Sequence, residues 1–237
     1  MGTVTLPTST TLASGNLYDV IQVGAAIEAG RAIRKGTDGK AYYATNADIT
    51  RSLVIGVSVS KAYAAGQYIV YAKPGASLTV SGLTKGIQYY LDHGTDEVQT
   101  LTITGTPTGG TFSLSYNGTV VASAIAYNAI GATLQTALEA YFGVGNITVS
   151  GSAGGPYTVT FKNLYGALDA VLLVLSTNAF TGGTTPNMTI VETTPGASTG
   201  NLCLQSDLAT GNAIATVALA LSATSCILNP TYTGVVS

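Results

Sequence analysis

The side chains best able to do chemistry lie together in one short segment, residues 92–97 (DHGTDE). This segment holds the sole histidine of the chain, His93, together with three carboxylates. Histidine and carboxylates are suitable ligands for divalent metal ions. Six consecutive residues seldom converge on one ion, however, and the sequence offers no second cluster that could supply further ligands. We therefore interpret the segment as a solvated turn and expect no metal site.

The rest of the inventory argues against catalysis. A Ser-His-Asp arrangement would have to use His93, and no GxSxG nucleophile motif accompanies it. The 11 acidic residues lie mostly at turns, whereas glycoside hydrolysis needs two acids facing each other across a cleft. The Gly-rich segment 151–156 (GSAGGP) lacks the Lys-Ser/Thr of a phosphate-binding loop. We therefore expect no enzyme activity, no catalytic residues and no cofactor.

Two cysteines, Cys203 and Cys226, are too few for a disulfide framework and lack the CxxC spacing of zinc sites. Both lie in apolar, strand-like surroundings, NLCLQ and TSCILN. Two buried thiols are the simpler interpretation, and a cross-strand disulfide is the alternative. The spacing alone does not choose between them.

Composition favours a protein that works inside an assembly. Charged residues make up 8% of the 237 residues, against about 25% in an average soluble protein. A polar but uncharged surface gives little electrostatic protection against self-association. The net charge of −2 provides no basic face for nucleic acid. No apolar run is long enough for a transmembrane helix, and the first residues (MGTVTLPTSTTLASG) lack the pattern of a secretory signal.

Residues 1–16 are rich in Thr and Ser and show no sustained periodicity. We predict an extended arm, whose apolar side chains are Val4, Leu6 and Leu12. One hypothesis is that this arm becomes ordered when it lies across a neighbouring subunit, and a disordered tail is the alternative.

Turn signals then divide residues 17–97 into short apolar segments, which predicts a small β-domain. Asp38-Gly39, for example, is a hairpin signal, because both residues tolerate the positive φ of a tight turn. The main strands predicted here are Leu17–Val23, Ser52–Ser60, Gln67–Ala72, Ser77–Val80 and Gln88–Leu91.

From residue 98 to residue 192 the pattern predicts a second, α+β domain with an antiparallel sheet and one helix. Asn117-Gly118 is a strong hairpin signal between two strands. The helix follows Asn128, which is a suitable cap, and ends before Gly143. Its predicted apolar stripe is Ile130, Leu134, Leu138 and Tyr141. Further strands are predicted at 147–149, 157–161, 171–175 and 188–191.

The last segment predicts three more strands, at 201–205, 217–221 and 225–228. About forty residues are too few to bury a core of their own, so these strands must complete the first domain. The predicted fold is therefore mainly β. A discontinuous β-barrel or β-sandwich-like domain (17–97 and 193–237) carries an inserted domain, 98–192.

The chain also resembles a known family of proteins over nearly its whole length. The segments AGRAIRKG, DGKAYYAT, LVIGVSVSKAYAAGQYIVYAKPGA and GLTKGIQYYLDHG are similar to the small β-domains of head decoration (capsid cement) proteins of tailed bacteriophages. The C-terminal TPGASTGNLC and ALSATSCILNP resemble the segment that, in such proteins, follows directly after the strand corresponding to GLTKGIQYYL. The middle part, from LTITGTPTGG to GGPYTVTF, resembles a module found in phage head, tail and fibre proteins.

The resemblance implies a structural role in the virion. Such proteins bind the outside of an expanded capsid, often as trimers, and clamp neighbouring capsomers. We accordingly expect the major capsid protein as partner, a homo-oligomer with a trimer favoured, a place on the outer capsid surface after synthesis in the host cytoplasm, and no nucleic acid or membrane. The alternative is a tail or fibre component whose inserted module binds a host-surface glycan. The predicted capsid or subunit contacts are Val4, Leu6, Leu12, Tyr18, Tyr42 and Tyr43.

Three of the predicted contacts, Tyr18, Tyr42 and Tyr43, are chosen because tyrosine joins an apolar ring to a polar hydroxyl and is favoured at interfaces. Half-buried packing in the sheet is the alternative for each one. The tyrosines of the first domain form the wider candidate group: Tyr18, Tyr42, Tyr43, Tyr63, Tyr68, Tyr71, Tyr89 and Tyr90.

Overall fold

A computed structural model describes residues 11–13, 17–79, 83–208, 213–222 and 225–235. The chain divides into two compact units. Unit 1 takes the chain up to Gly94 and again from Ser198 onward, and unit 2 takes Thr95–Ala197. The predicted inserted domain, 98–192, lies within unit 2.

Unit 1 is built from strands on both sides of the insertion. Before it come β1 (Thr11–Ala13), β2 (Tyr18–Gln22), β3 (Ala32–Lys35), β4 (Ala41–Tyr43), β5 (Val54–Ser58), β6 (Tyr68–Ala72), β7 (Ser77–Thr79) and β8 (Gln88–Leu91). Unit 2 contributes β9 (Val98–Thr104), β10 (Gly109–Tyr116), β11 (Thr119–Ala126), α1 (Gly131–Phe142), β12 (Ile147–Ser150), β13 (Tyr157–Phe161), β14 (Val174–Thr181) and β15 (Asn187–Thr194). Unit 1 then resumes with β16 (Leu202–Cys203), β17 (Ala213–Ser222) and β18 (Ser225–Val235).

Two antiparallel sheets form unit 1. One has five strands in the order β2-β6-β5-β3-β4, and the other has six in the order β1-β7-β18-β17-β8-β16. One apolar core draws on both sheets: Ala32, Val57 and Ala72 come from the first, and Tyr89 and Val217 from the second. Sheets that share a core in this way are packed as a sandwich. None of the sheets in the described part of the chain closes into a barrel, so the mainly β, sandwich-like prediction is confirmed and the barrel form is not found.

A second, smaller core supports the five-stranded sheet. It contains Val23, Ile27, Ile33, Ala62 and Ile69, all at most 1% exposed. Ile27 and Ala62 form an isolated antiparallel bridge, so the loops that hold them cross close together. This core fixes the loops at residues 24–30 and 61–66 to the sheet.

Unit 2 has a three-stranded sheet, β11-β10-β14, and a four-stranded sheet, β12-β13-β9-β15. Both sheets and the helix α1 contribute to one core, whose members include Leu101, Phe112, Leu138, Tyr157 and Phe161. The sequence predicts a strand over 171–175, but the β14 strand begins only at Val174 and continues to Thr181. Residues 171 and 173 are instead held in the preceding loop by the side chain of Gln99 on β9.

The helix α1 confirms the predicted helix but corrects its details. It begins after Ile130, whose side chain makes no capping bond, so Asn128 is not the cap. The buried residues are Gly131, Leu134, Leu138 and Phe142. Ile130 and Tyr141, predicted for the buried stripe, are 53% and 44% exposed. The packed face is therefore rotated by one residue at both ends of the predicted stripe.

The structure differs from the predicted arm at residues 11–13, which form a strand. Thr11–Ala13 pairs antiparallel with Ser77–Thr79 and forms the edge of the six-stranded sheet. Without β1, β7 would be the edge of this sheet, and pairing with β1 satisfies its outer backbone groups. The rest of the predicted arm, residues 1–10 and 14–16, lies outside the described residues.

The β18 strand is longer than predicted, because it continues through Pro230. Proline cannot donate a backbone hydrogen bond and is confined to positions with a free side. Here β7 pairs only with Ser225–Ile227, so at Pro230 the strand has β17 as its single neighbour. Within the described residues, no helix is long and apolar enough to cross a membrane.

Candidate contact surface

The three predicted contact tyrosines are half-buried, and two have their hydroxyls engaged inside unit 1. The Tyr42 hydroxyl donates to Asp38 Oδ2 at 2.9 Å, which raises the pKa of Tyr42. The Tyr43 hydroxyl accepts a hydrogen bond from the Glu28 amide at 2.8 Å. Tyr18 packs against the core between the sheets. These side chains stabilise the unit, and their exposed portions remain the predicted contacts.

Tyr42 also explains why residue 24 is glycine. A Cβ placed on Gly24 would lie 2.0 Å from Cζ of the Tyr42 ring. Any side chain there would displace the ring and break its bond to Asp38. The guanidinium of Arg34 lies on the same ring, 5.3 Å from its centroid, which adds a cation–π contact.

Of the three predicted contacts in the arm, Val4 and Leu6 lie outside the described residues. Leu12 lies in β1, opposite Leu78 of β7. The described tyrosines differ widely in exposure. Tyr89 is 1% exposed and its hydroxyl accepts from the Thr84 amide at 2.9 Å, whereas Tyr63 and Tyr68 are 75% and 65% exposed.

The three most exposed large apolar or aromatic side chains of the described part of unit 1 are Val20 on β2, Tyr68 on β6 and Tyr63 in the loop before β6. Together with the half-buried Gln22 of β2, we call them the β2–β6 face. Val20 is 60% exposed, and Gln22 pairs directly with Tyr68 across the two strands. The Gln22 side chain donates to the Gly66 carbonyl at 2.9 Å, and the Tyr63 amide donates to Gln67 Oε1 at 2.7 Å. These bonds hold the loop beside the strands, so the face is presented on a fixed frame.

One ion pair borders this face. Lys61 Nζ lies 2.6 Å from Glu28 Oε1 and 4.7 Å from the centroid of the Tyr63 ring. The hydrogen bond that Lys61 donates to Glu28 raises the pKa of Lys61. The two charges compensate each other, and the face as a whole presents neutral side chains. Sequence reasoning named Tyr63 and Tyr68 only as members of a group, because neither the loop that holds Tyr63 nor the register that exposes Tyr68 is visible in the residue types.

A cavity of about 170 Å³ opens elsewhere on unit 1, and we call it the β18 cavity. Its lining comprises residues 52–55, Thr216, Pro230 and Thr231. The hydroxyl of Ser52 donates to the Ile49 carbonyl at 2.9 Å, and that of Thr216 lies 3.4 Å from the carbonyls of Asn229 and Thr231. The polar side chains of the lining are thus already satisfied, so the cavity is suited to an apolar group.

A buried polar loop precedes this cavity along the chain. Asp48 and Arg51 are 8% and 6% exposed, and Arg51 Nε donates to Asp48 Oδ2. The Asp48 carboxylate also accepts from the Thr50 amide at 2.7 Å and the Arg51 amide at 3.0 Å. Burial by itself would raise the pKa of Asp48, but the hydrogen bonds from the Thr50 hydroxyl and from Arg51, together with the Arg51 charge, lower it overall. The pair fixes the loop that leads into residues 52–55.

The segment 92–97 is not the solvated turn that the sequence predicts. Glu97 is fully buried, and its carboxylate accepts hydrogen bonds from Gln99 Nε2 and the Ala170 amide. Asp96 Oδ1 accepts from the Ala167 amide at 3.0 Å. Acidic side chains at this point therefore secure the loop before β14. Within the described residues, no group of three or more His, Cys, Asp or Glu side chains could hold a metal ion.

Cys203 and Cys226 are both free and buried. Burial raises the pKa of Cys203 to about 12 and that of Cys226 to about 11. The thiolate is the reactive form of cysteine, so both thiols should be inert at neutral pH.

One face of the four-stranded sheet in unit 2 carries hydroxyl groups in cross-strand rows, and we call it the hydroxyl face. Ser150 pairs with Thr158, which pairs with Thr100, and Thr102 pairs with Thr189. The hydroxyls of Thr100 and Thr193 lie 2.7 Å apart. These rows contain no charged side chain. The face follows from a strict alternation in β9 and β13, where Thr alternates with apolar or buried residues.

Comparisons with known proteins add a partial relationship. No family model matches the chain. Over 108 residues it is 35% identical to the tail sheath protein of Mycobacterium phage Bxz1. The match covers 45% of this chain, which spans only 18% of the length of that protein. A solved chain from Mycobacterium phage Patience aligns with 97% of this chain, and over its own full length, at 15% identity and a TM-score of 0.36. The sequence similarity supports a bacteriophage structural protein and does not distinguish the head from the tail.

Proposed function

We propose that this chain is a virion structural protein that binds the outer surface of a capsid and stabilises it by clamping neighbouring capsomers. Its partner is then the major capsid protein. The chain acts as a homo-oligomer, with a trimer favoured, and is located on the outside of the head after synthesis in the host cytoplasm.

The observation that carries the proposal is the β2–β6 face. Val20, Tyr63 and Tyr68 are each at least 60% exposed, and they lie on the edge of a sandwich whose frame is fixed by hydrogen bonds. Tyrosine and exposed apolar groups on a rigid, uncharged surface are typical of the centre of a protein interface. Because β2 is an edge strand, part of its outer backbone is also open to pairing, although the Val20 amide already donates to Asp19 Oδ1. Low overall charge lets many copies lie side by side without repulsion.

The alternative is a tail or fibre component whose inserted module binds a host-surface glycan. Two observations favour it. One relative is named as a tail sheath protein, and the hydroxyl face of unit 2 offers donors and acceptors without charge, as a neutral sugar surface requires. No aromatic platform is found on those rows, which makes this alternative the weaker of the two.

Binding to purified expanded capsids tests the proposal directly. We expect saturable binding that persists at high salt, because the contacts are not ionic. Val20→Lys together with Tyr68→Lys should weaken that binding at least tenfold while leaving the thermal unfolding midpoint nearly unchanged, since both side chains are exposed. Val144→Lys, at a position 88% exposed in unit 2, serves as the matched control.

Cryo-microscopy of the virion separates the two functions. Density for this chain on the capsomer axes supports the capsid role. Density confined to the tail overturns it and favours the alternative.

A further inference from the structure

We infer that residues 1–10 of one copy bind in the β18 cavity of a second copy, with Leu6 as the side chain that fills it. This contact between copies goes beyond the proposed function, because it would join neighbouring molecules on a head or on a tail alike. It is carried by the cavity, by the direction of β1 and by the reach of the chain before Thr11.

The cavity accepts an apolar side chain. Leu53, Val54, Ile55 and Pro230 supply its apolar wall, and its polar side chains bond to groups of unit 1. An apolar cavity of about 150 Å³ is large enough to hold benzene. The β18 cavity, at about 170 Å³, can therefore hold the smaller side chain of a leucine. Leu53 is 56% exposed at its rim, so a group entering the cavity would also cover this side chain.

The direction of β1 places its first residue, Thr11, at the end of the sheet away from the cavity of the same copy. Thr11 pairs with Thr79, and Thr79 pairs with Ser225, so Thr11 is level with the start of β18. Both β1 and β18 are antiparallel to β7, so they run in the same direction. The cavity lies further along β18, at Pro230 and Thr231, whereas Thr11, to which residues 1–10 are joined, lies level with the opposite end of that strand.

Reach makes the same point. From Thr11 to Pro230 the path is about 17 Å along the strands and about 10 Å across two strand spacings, or roughly 20 Å in all. Leu6 is five residues from Thr11, and five extended residues span at most about 18 Å. Leu6 could therefore approach its own cavity only if the arm reversed completely at Thr11 and stayed fully extended along the sheet. The cavity of a neighbouring copy carries no such restriction.

The arm has the chemistry that the cavity needs. Residues 1–10 (MGTVTLPTST) contain no charged side chain, and Val4 and Leu6 would point to the same side of an extended segment. Leu6 precedes Pro7, and a residue before proline favours an extended backbone. The segment can thus present Leu6 to a shallow cavity without a turn.

Disulfide trapping between two single-cysteine variants tests the contact. Thr5→Cys keeps Leu6, and Thr231→Cys places a thiol at the exposed rim of the cavity. The native Cys203 and Cys226 are buried, with pKa values of about 12 and 11, so they should give little background. On mixing the two full-length variants under mild oxidation, we expect a cross-linked dimer. Adding Leu6→Ala to the first variant should reduce its yield at least tenfold, whereas adding Ser9→Ala should not.

Three results would overturn the inference. The first is no dimer above background. The second is an equal yield when Thr177→Cys, at an exposed position on β14, replaces Thr231→Cys. The third is a double variant, Thr5→Cys with Thr231→Cys, that links only within one chain. Capsid binding is a separate measurement: its loss would overturn the proposed function and leave this contact standing, and the reverse also holds.

Discussion

Asp48 and Glu97 are both buried carboxylates, and their surroundings shift their pKa values in opposite directions. Asp48 is paired with Arg51, and its hydrogen bonds outweigh the effect of burial, so its pKa is lowered. Burial raises the pKa of Glu97 despite the hydrogen bonds that its carboxylate accepts from Gln99 and Ala170. The charges of Glu192 and Asp169 raise it further. Stability from Asp48 is therefore lost as the pH falls, whereas Glu97 acts in the other direction.

Glu97→Gln should remove one part of the pH dependence of stability. Between the ordinary and the raised pKa of Glu97, the folded chain holds a proton that the unfolded chain releases. The free energy of unfolding of the wild type, minus that of the variant, should therefore decrease as the pH rises through this window. Urea unfolding followed by circular dichroism at a series of pH values measures the difference.

Glu192→Gln is the control for this experiment. Residue 192 is exposed, so Glu97 stays buried in this variant and its contribution to stability should still decrease as the pH rises. The pH range of that decrease should be narrower, because the Glu192 charge no longer raises the pKa of Glu97. A pH-independent difference between the wild type and Glu97→Gln would contradict the account of Glu97 as a titrating buried group.

At the scale of elements, periodicity located α1 but not its packed face. The stripe at 130, 134, 138 and 141 and the observed face at 131, 134, 138 and 142 both have helical spacing. Glycine at 131 carries no hydrophobic signal, although a Cβ there would lie 3.1 Å from the Val149 carbonyl oxygen. The helix approaches β12 at that point because the residue is small, and this close approach sets the rotation of the helix.

The corrected face gives a mutational prediction. Leu138→Ala should lower the free energy of unfolding by about 2–5 kcal/mol, because it leaves a cavity in the core of unit 2. Ile130→Ala should change it by less than about 0.5 kcal/mol, because Ile130 is exposed. Thermal or urea unfolding of the two variants checks the contrast. Equal losses would favour the stripe predicted from periodicity.

At the scale of the whole molecule, the insertion begins and ends at one point. Thr95 and Ala197 form an isolated antiparallel bridge, with both of their N–H···O bonds at 2.9 Å. Just outside it, the Asp92 amide donates to the Asn201 carbonyl at 3.0 Å. The chain therefore leaves unit 1 and returns to it side by side, as an insertion at a tolerant position requires.

Excision should separate the two units without destroying either. Residues 95–197 expressed alone, and a chain in which Gly94 is joined to Ser198 by a short glycine linker, should each unfold in one cooperative transition. Each unit has its own core, which is the physical basis for independent folding. Calorimetry and circular dichroism measure both products. An unfolded product in either case would contradict the division.

The mainly β fold, the presence of one helix and the burial of both cysteines were accessible from the sequence, because turn residues and alternation are local signals. The inward position of Glu97 was not, since its partner Ala170 lies far along the chain. Nor were the exposure of Tyr68 and the burial of Tyr89, which depend on strand register and sheet order. The β18 cavity is formed by residues 52–55 and by Thr216, Pro230 and Thr231, and no local pattern predicts that they meet.

The bridge between Thr95 and Ala197 also has a genetic consequence. Recombination that replaces the coding segment between these two residues would give unit 1 a different inserted domain. The bridge between Thr95 and Ala197 would still close the junction, so no new junction would have to evolve. The same position would accept a peptide or domain of another origin for display. Unit 1 and the domain inserted in it would then evolve at different rates within the same gene.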